Sequence, residues 1–345
     1  MLGMALRPIV NPPHRWNALQ HEFLDAPPPA KLEVFEEEAK SVLVENESPD
    51  VGFRWSVNPY RGCIHGCAYC YARPSHQYWD FGAGTDFERK IVVKVNAPER
   101  LREGFLKRSW AGDSVTFSGN TDCYQPLEAE YRITRRCLEV CHEFRNPVGI
   151  ITKSALIRRD QDVLAALARD ARAAVYFSIP FADAAMTRKL EPWAPAPQAR
   201  WDAMRALAGA GIPVGVSVSP IIPGLNESQI PEILKRSHDA GARSAFHILL
   251  RLPSEVKDIF FERLAAELPH RVNRVRHAVE DVRGGKLNDP RFGMRMRGTG
   301  PRWEAIARLF DVWRRKLGME PSGLVDAATT FRRPSIQGAL FPDGK

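Results

Sequence analysis

No run of 18 consecutive apolar residues occurs in the 345-residue chain, so nothing in it predicts a membrane-spanning helix. The opening MLGMALRPIVNPPHRWN lacks an apolar h-region and a small-residue cleavage site, which argues against a secretory leader and makes the cytoplasm the expected location. Phosphate-loop signatures are absent as well. GAGTD (82–86) and GGK (284–286) lack the following Lys-Ser/Thr and read as turns. No repeat of 20–50 residues is visible, which excludes a solenoid. Cysteine is scarce, six in all. The C-x2-C pair at 67 and 70 has no second pair to complete a four-thiolate zinc site.

What is present describes a soluble α/β protein. Hydrophobic residues make up 44 % and charged residues 26 % of the chain, ordinary for a globular fold. The formal net charge of +8 is uneven. Between Arg271 and Arg302 nine Lys/Arg face three acidic residues. That window holds most of the excess and suggests contact with phosphate backbones; the alternative is a solvated face whose arginines cover apolar surface.

Residues 1–50 read as an extended arm, proline-rich at first and then acidic (FEEEAK). From residue 51, β-rich runs bounded by Gly, Pro or Asn alternate with helical patterns: 53–60, 90–96, 114–120, 147–154, 173–181, 213–222 and 244–252. Helices are predicted around 128–144, 159–170, 197–210, 228–240 and 254–268. Such alternation predicts βαβ units with a parallel sheet. The count suits a partial, open (β/α)6 TIM-like barrel over 51–268 better than a closed eightfold one. Residues 269–345 read as a helical, basic C-terminal extension, with SIQGALF packing back. The active site of such a barrel gathers at the C-terminal strand ends, here 58–61, 118–122, 152–154, 178–181, 217–220 and 250–251.

GCIHGCAYCYAR (62–73) places Cys63, Cys67 and Cys70 in one loop. Zinc with His65 or His76 as fourth ligand, a Cys67–Cys70 redox dithiol, and three corners of an iron–sulfur cubane are all open on spacing alone. Cys137 and Cys141, at i and i+4 beside Ile133, Val140 and Phe144, read as core. Asp160 reads as a helix N-cap, His247 as a core histidine, and Trp55 and Tyr60 as packing residues.

The C-x3-C-x2-C loop after a first strand resembles the radical S-adenosylmethionine (SAM) superfamily, and the resemblance spans about 53–268. It implies a [4Fe–4S] cluster on Cys63, Cys67 and Cys70, with the fourth iron chelating SAM. One electron then releases a 5′-deoxyadenosyl radical that takes hydrogen from a substrate. It also implies an electron donor such as flavodoxin or ferredoxin, and no membrane. YCY (69–71) resembles the branch that contains spore photoproduct lyase. On that resemblance Tyr69 packs near the adenine and Tyr71 takes part in hydrogen transfer. SGNTD brings Asn120 and Thr121 to the SAM methionine, ITKS brings Lys153 to its carboxylate, YFSI brings Ser178 to the ribose, and VSVSPIIP lays Ser219 along the adenosine. Gly119 stands where the lyase carries a hydrogen-donating cysteine, so Cys123 becomes the candidate donor. The expected function is radical hydrogen abstraction from a substrate, with nucleic acid favoured by the basic 271–302 window. A peptide, protein or metabolite substrate is the alternative. The alternative of another class is a metal-stabilised nucleic-acid-binding protein without turnover.

Overall fold

The structure, a computed structural model, describes residues 31–321 and 329–334. The first thirty residues of the expected arm and the SIQGALF tail lie outside the described residues. The described residues form ten strands: β1 (Glu33–Glu37), β2 (Leu43–Glu45), β3 (Trp55–Val57), β4 (Tyr60–Arg61), β5 (Lys90–Lys94), β6 (Val115–Phe117), β7 (Val148–Thr152), β8 (Ala173–Ser178), β9 (Val214–Ile221) and β10 (Ser244–Leu249). The main sheet has the order β10-β9-β8-β7-β6-β3-β2. Its six strands from β3 to β10 run parallel, and β2 pairs antiparallel with β3. β10 and β2 are its two edges, so the sheet is open, consistent with a partial barrel.

Two expectations change here. Residues 31–50 do not form a separate arm, because β1 and β2 are built into the two sheets. The run at 90–96 does not join the parallel series. As β5 it pairs with β1 and β4 in a small sheet of its own.

The parallel strands are buried and rich in Val and Ile, as strands covered on both faces must be. Helices Ile133–Glu143, Gln161–Asp170, Pro197–Gly209 and Ile230–Asp239 connect them. Each buries one stripe. Ile133, Cys137, Val140, Cys141 and Phe144 recur at helical spacing and are sealed in the core. His247 is half-buried and packs on core aromatics, its ring 4.4 Å from Phe310 and 5.6 Å from Trp303. Burial lowers its pKa to about 4. Asp160 makes no N-cap bond. It is instead a buried acceptor for Tyr124, Arg135 and Arg159, because three donors from neighbouring elements converge on it.

The open edge is bordered by a non-strand segment. Leu249 N–H donates to the Met296 carbonyl at 3.1 Å. Arg283, buried, holds the carbonyls of Leu250, Met294, Arg295 and Arg297. From the opposite edge, the loop between β2 and β3 reaches over: Asp50 accepts from Gly293 N–H and from Arg295 Nε, both at 2.5 Å.

Candidate active site

The cysteine loop follows β4 and is fastened at nearly every turn. Cys63 N–H donates to the Phe87 carbonyl (2.9 Å), Ala68 N–H to Leu190 (2.9 Å), and Trp193 N–H to His65 (3.2 Å). Gln125 bridges the loop, accepting from Ile64 N–H at 3.0 Å and donating to the Gly62 carbonyl at 3.2 Å. Arg73 is fully buried and uses all five N–H groups. Two go to the Cys67 carbonyl (3.1 and 2.8 Å), two to Ala83 and Gly84 (3.0 Å each), and one to Glu88. A lysine has no such fork.

Gly62 sits at φ +74°, and a Cβ there would lie 2.9 Å from the Phe87 carbonyl oxygen. Gly62→Ala is therefore expected to destabilise the fold by about 1–3 kcal/mol and to lower bound iron, read from a thermal melt and an iron assay on the same preparation.

A cavity of about 190 Å³ opens at the C-terminal ends of the parallel strands. Cys63, Cys67, Cys70, Tyr69 and Tyr71 line it from the loop. Asn120 and Thr121 line it after β6, Lys153 after β7, Ser178 at the end of β8, and Ser219 within β9. Every residue expected at the site is there except one. Cys123 is fully buried in the apolar core and does not line the cavity. Its N–H donates to Ser118 Oγ and its carbonyl accepts from Thr134. The hydrogen-donor role expected of Cys123 is withdrawn. Gly119 is also no simple gap for a cysteine, since a Cβ there would meet Ser56 Cβ at 3.1 Å.

Several cavity groups are already partnered. Lys153 Nζ donates to Ser178 Oγ at 2.6 Å and lies 3.4 Å from Glu191. Thr121 Oγ1 donates to the Tyr60 carbonyl at 2.6 Å, and Asn120 Nδ2 to Ser75 Oγ at 3.2 Å. Tyr71 donates its hydroxyl to the Gly119 carbonyl at 2.6 Å and is 44 % exposed.

Sequence reasoning missed three acidic or basic groups around this cavity. Glu191, fully buried, accepts from Tyr69 and Arg200 and faces Lys153. Burial pushes its pKa up, but Arg200 and Lys153 outweigh that and hold it low. Asp122 accepts from Thr152 Oγ1 (2.7 Å) and Lys153 N–H (2.8 Å) and lies 3.4 Å from His65. Burial opposes its charge, yet these partners keep its pKa at about 2. Arg251, just beyond β10, lines the cavity with its guanidinium 5.1 Å from the Tyr71 ring centroid. Asp122 was visible within SGNTD and Arg251 at the end of the last parallel run; Glu191 carried no local signal.

Burial pushes the Cys67 thiol well up, aided by the Glu191 carboxylate, and the Cys70 thiol up to about 11. Buried thiols of this kind become thiolates when a metal supplies the compensating charge. Among the described residues no group of three His, Cys, Asp or Glu is placed to hold a single ion. His76, one expected zinc partner, instead bonds the Lys90 carbonyl and packs tilted against Phe81 and edge-on against Phe87. A cubane suits three thiols of one loop better, because each iron takes its own thiolate. Ser219 Oγ is buried against the cavity and has no hydrogen-bond partner among the described residues, an orphan acceptor and donor suited to a polar ligand. The residues fit a cluster with a polar cofactor beside it.

The sequence profile of the radical SAM superfamily matches residues 57–236. The chain belongs to the radical SAM superfamily. The cofactors of this radical SAM chain are accordingly a [4Fe–4S] cluster and S-adenosylmethionine, and its chemistry needs a reductant. An uncharacterised protein of Mycobacterium bovis is 36 % identical over 65 % of the chain and 66 % of its own length. The chain thus spans just under two thirds of that relative. An uncharacterised protein of Methanocaldococcus jannaschii is 29 % identical over 57 % of the chain and 70 % of its length. A spore photoproduct lyase mutant, solved with AdoMet and dinucleoside spore photoproduct, superposes with TM-score 0.63 at 16 % identity. That superposition covers 84 % of this chain and 81 % of the lyase, and the two share a fold. Among the described residues no helix is long and apolar enough to cross a membrane.

The basic window is partly engaged within the radical SAM fold itself. Arg283 holds carbonyls, Arg291 pairs with Asp289, Arg295 with Asp50 and Arg302 with Asp281. Arg271, Arg274, Lys286 and Arg297 are exposed.

Proposed function

We propose that Cys63, Cys67 and Cys70 each ligate one iron of the cluster and that SAM lies against Tyr69, Lys153, Ser178 and Ser219. The observation that carries this reading is a single cavity, at the C-terminal strand ends, lined by the buried thiols of Cys63 and Cys67 and the half-buried thiol of Cys70 together with Lys153 and the orphan Ser219 hydroxyl. When both cofactors are bound, an electron from a flavodoxin- or ferredoxin-like donor supplies reductive cleavage of SAM and a 5′-deoxyadenosyl radical for hydrogen abstraction. The chain's own residues bind and orient. Lys153 offers a point charge to the SAM carboxylate. Tyr69, anchored by Glu191, presents its ring to the adenine. Ser178 offers a hydroxyl to the ribose, Asn120 and Thr121 border the methionine end, and Ile151, Ile248 and Leu249 exclude water.

Tyr71 is the proposed hydrogen-transfer residue. It lines the cavity, and among the described residues no cysteine besides the three ligands does. The substrate reading is a nucleic acid strand acted on at the cavity mouth by a cytoplasmic enzyme. Exposed Arg291 and Arg297, and the exposed Phe292 ring with Arg295 4.5 Å from its centroid, support it. So does the dinucleoside bound in the structurally similar lyase. Residues 51–268 form the catalytic core in this reading, and 269–345 an extension bordering the mouth.

Anaerobically purified protein is expected to be brown, with about four irons and four sulfides per chain. It is expected to form 5′-deoxyadenosine when reduced with dithionite in the presence of SAM. Colourless zinc protein forming none overturns the proposal. Lys153→Ala is expected to raise the SAM Kd by about ten- to a hundredfold, the loss of a charge-assisted hydrogen bond of about 1.5–3 kcal/mol, with iron content unchanged; equilibrium dialysis on the cluster-loaded variant checks it.

A further inference from the structure

Two charged groups line the cavity without a role in SAM binding, Asp122 and Arg251, and Asp122 is already bonded by Thr152 Oγ1 and Lys153 N–H. Arg251 stands at the C-terminal end of the last parallel strand, across the sheet from the ends that carry Lys153 and Ser178. Its guanidinium lines the cavity over the Tyr71 ring, yet among the described residues no carboxylate pairs with it. Asp50, the acid whose charge it feels, is bonded to Arg295 and to Gly293 N–H. Arg295 adds a like charge. A partly buried guanidinium kept from solvent, without a counter-ion and beside another cation, is costly unless a ligand supplies the anion. The fork is free to grip two oxygens at once.

We propose that Arg251 binds a phosphodiester oxyanion of the substrate and so sets which atom of the strand lies beside Tyr71. The inference rests on the nucleic-acid reading above and adds to it the residue that positions the strand. Three observations favour phosphate. The segment 291–297 beside β10 offers exposed Arg297 for a neighbouring phosphate and an exposed aromatic face in Phe292 for a base. Arg283 and Asp50 fix that segment next to Arg251. The SAM side of the cavity already has its own cation in Lys153, which leaves Arg251 for a second anion.

The test uses cluster-loaded protein under anaerobic conditions. Binding of a labelled short oligothymidylate is measured by anisotropy across a salt series, and SAM binding by equilibrium dialysis. Arg251→Gln is expected to weaken oligothymidylate binding about tenfold or more and to flatten the log–log salt slope by about 0.7, one phosphate on a single strand. Its SAM Kd is expected to stay within about twofold of the wild type. Arg251→Lys is expected to recover the salt slope but only part of the affinity, because the fork is lost. Inorganic phosphate is expected to compete with the oligothymidylate in the wild type and less in Arg251→Gln. The exposed Arg205→Gln on helix Pro197–Gly209 serves as the charge control and is expected to bind like the wild type. Weakened SAM binding in Arg251→Gln, unchanged oligothymidylate binding, or a wild type that binds no oligothymidylate overturns the proposal. A wild type that binds the strand but forms no 5′-deoxyadenosine defeats the catalytic reading and leaves the Arg251 assignment to be judged on binding alone. Thermal melts of both variants separate a binding defect from misfolding.

Discussion

Cys67→Ala protein is expected to lose most of its iron and to form no 5′-deoxyadenosine above background, while its circular dichroism stays that of the wild type. The reasoning separates the thiol from its backbone. The Cys67 carbonyl is gripped twice by Arg73, and the next residue's N–H is bonded to Leu190. Truncating the side chain therefore leaves the loop in place. Only the sulfur is removed, and a cubane held by two thiolates in place of three is labile. Cys137→Ala is the matched control. That thiol is equally buried, but it belongs to the helix Ile133–Glu143 and packs in the core. It is expected to cost some stability and no iron. Full iron and turnover in Cys67→Ala, or iron loss in Cys137→Ala, contradicts the assignment of the cluster to the 62–73 loop.

Glu191→Ala is expected to destabilise the fold by about 3–5 kcal/mol, the loss found when one member of a buried ion pair is removed. Glu191 and Arg200 are both sealed from solvent. Without the carboxylate, Arg200 keeps its bonds to the Pro195 and Ser178 carbonyls but not its charge partner. The same truncation frees Tyr69 and Lys153, so SAM affinity is expected to fall together with stability. The double variant Glu191→Leu with Arg200→Met tells the two effects apart. An apolar pair removes the stranded charge and is expected to recover part of the stability, as buried ion pairs replaced by apolar residues commonly do. SAM affinity is not expected to recover, because Tyr69 and Lys153 still lack their anchor. Chemical denaturation and SAM dialysis on both variants check this. A Glu191→Ala protein as stable as the wild type, or a double variant with wild-type SAM affinity, sinks the argument.

The sequence made the site legible wherever a motif is local. Three cysteines in one loop, a lysine directly after β7 and serines at the ends of β8 and β9 follow from spacing, from a period-two pattern that locates strand ends and from the family resemblance. Ten of the eleven residues expected from that pattern line one cavity. The exception, Cys123, shows the limit of counting along a chain. It lies two residues beyond Thr121, yet the turn after β6 sends Thr121 to the cavity and Cys123 into the core. Glu191 and Arg73 show the same limit from the other side. Each supports the site through partners far away in sequence, Tyr69 and the 83–84 backbone respectively, and nothing in the neighbouring residues announces it.

By itself the sequence determined the cofactor chemistry, the parallel α/β class and the location of the six parallel strands of the main sheet. These depend on residue types at short spacing and on hydrophobic period, both of which are written locally. Only the tertiary structure decided that 31–50 joins the two sheets, that 90–96 leaves the parallel series, that much of the basic window is engaged internally, and that Arg251 faces the cavity without a counter-ion among the described residues. Those outcomes depend on which distant groups meet. A buried charge is either neutralised or left for a ligand only by what the fold packs against it.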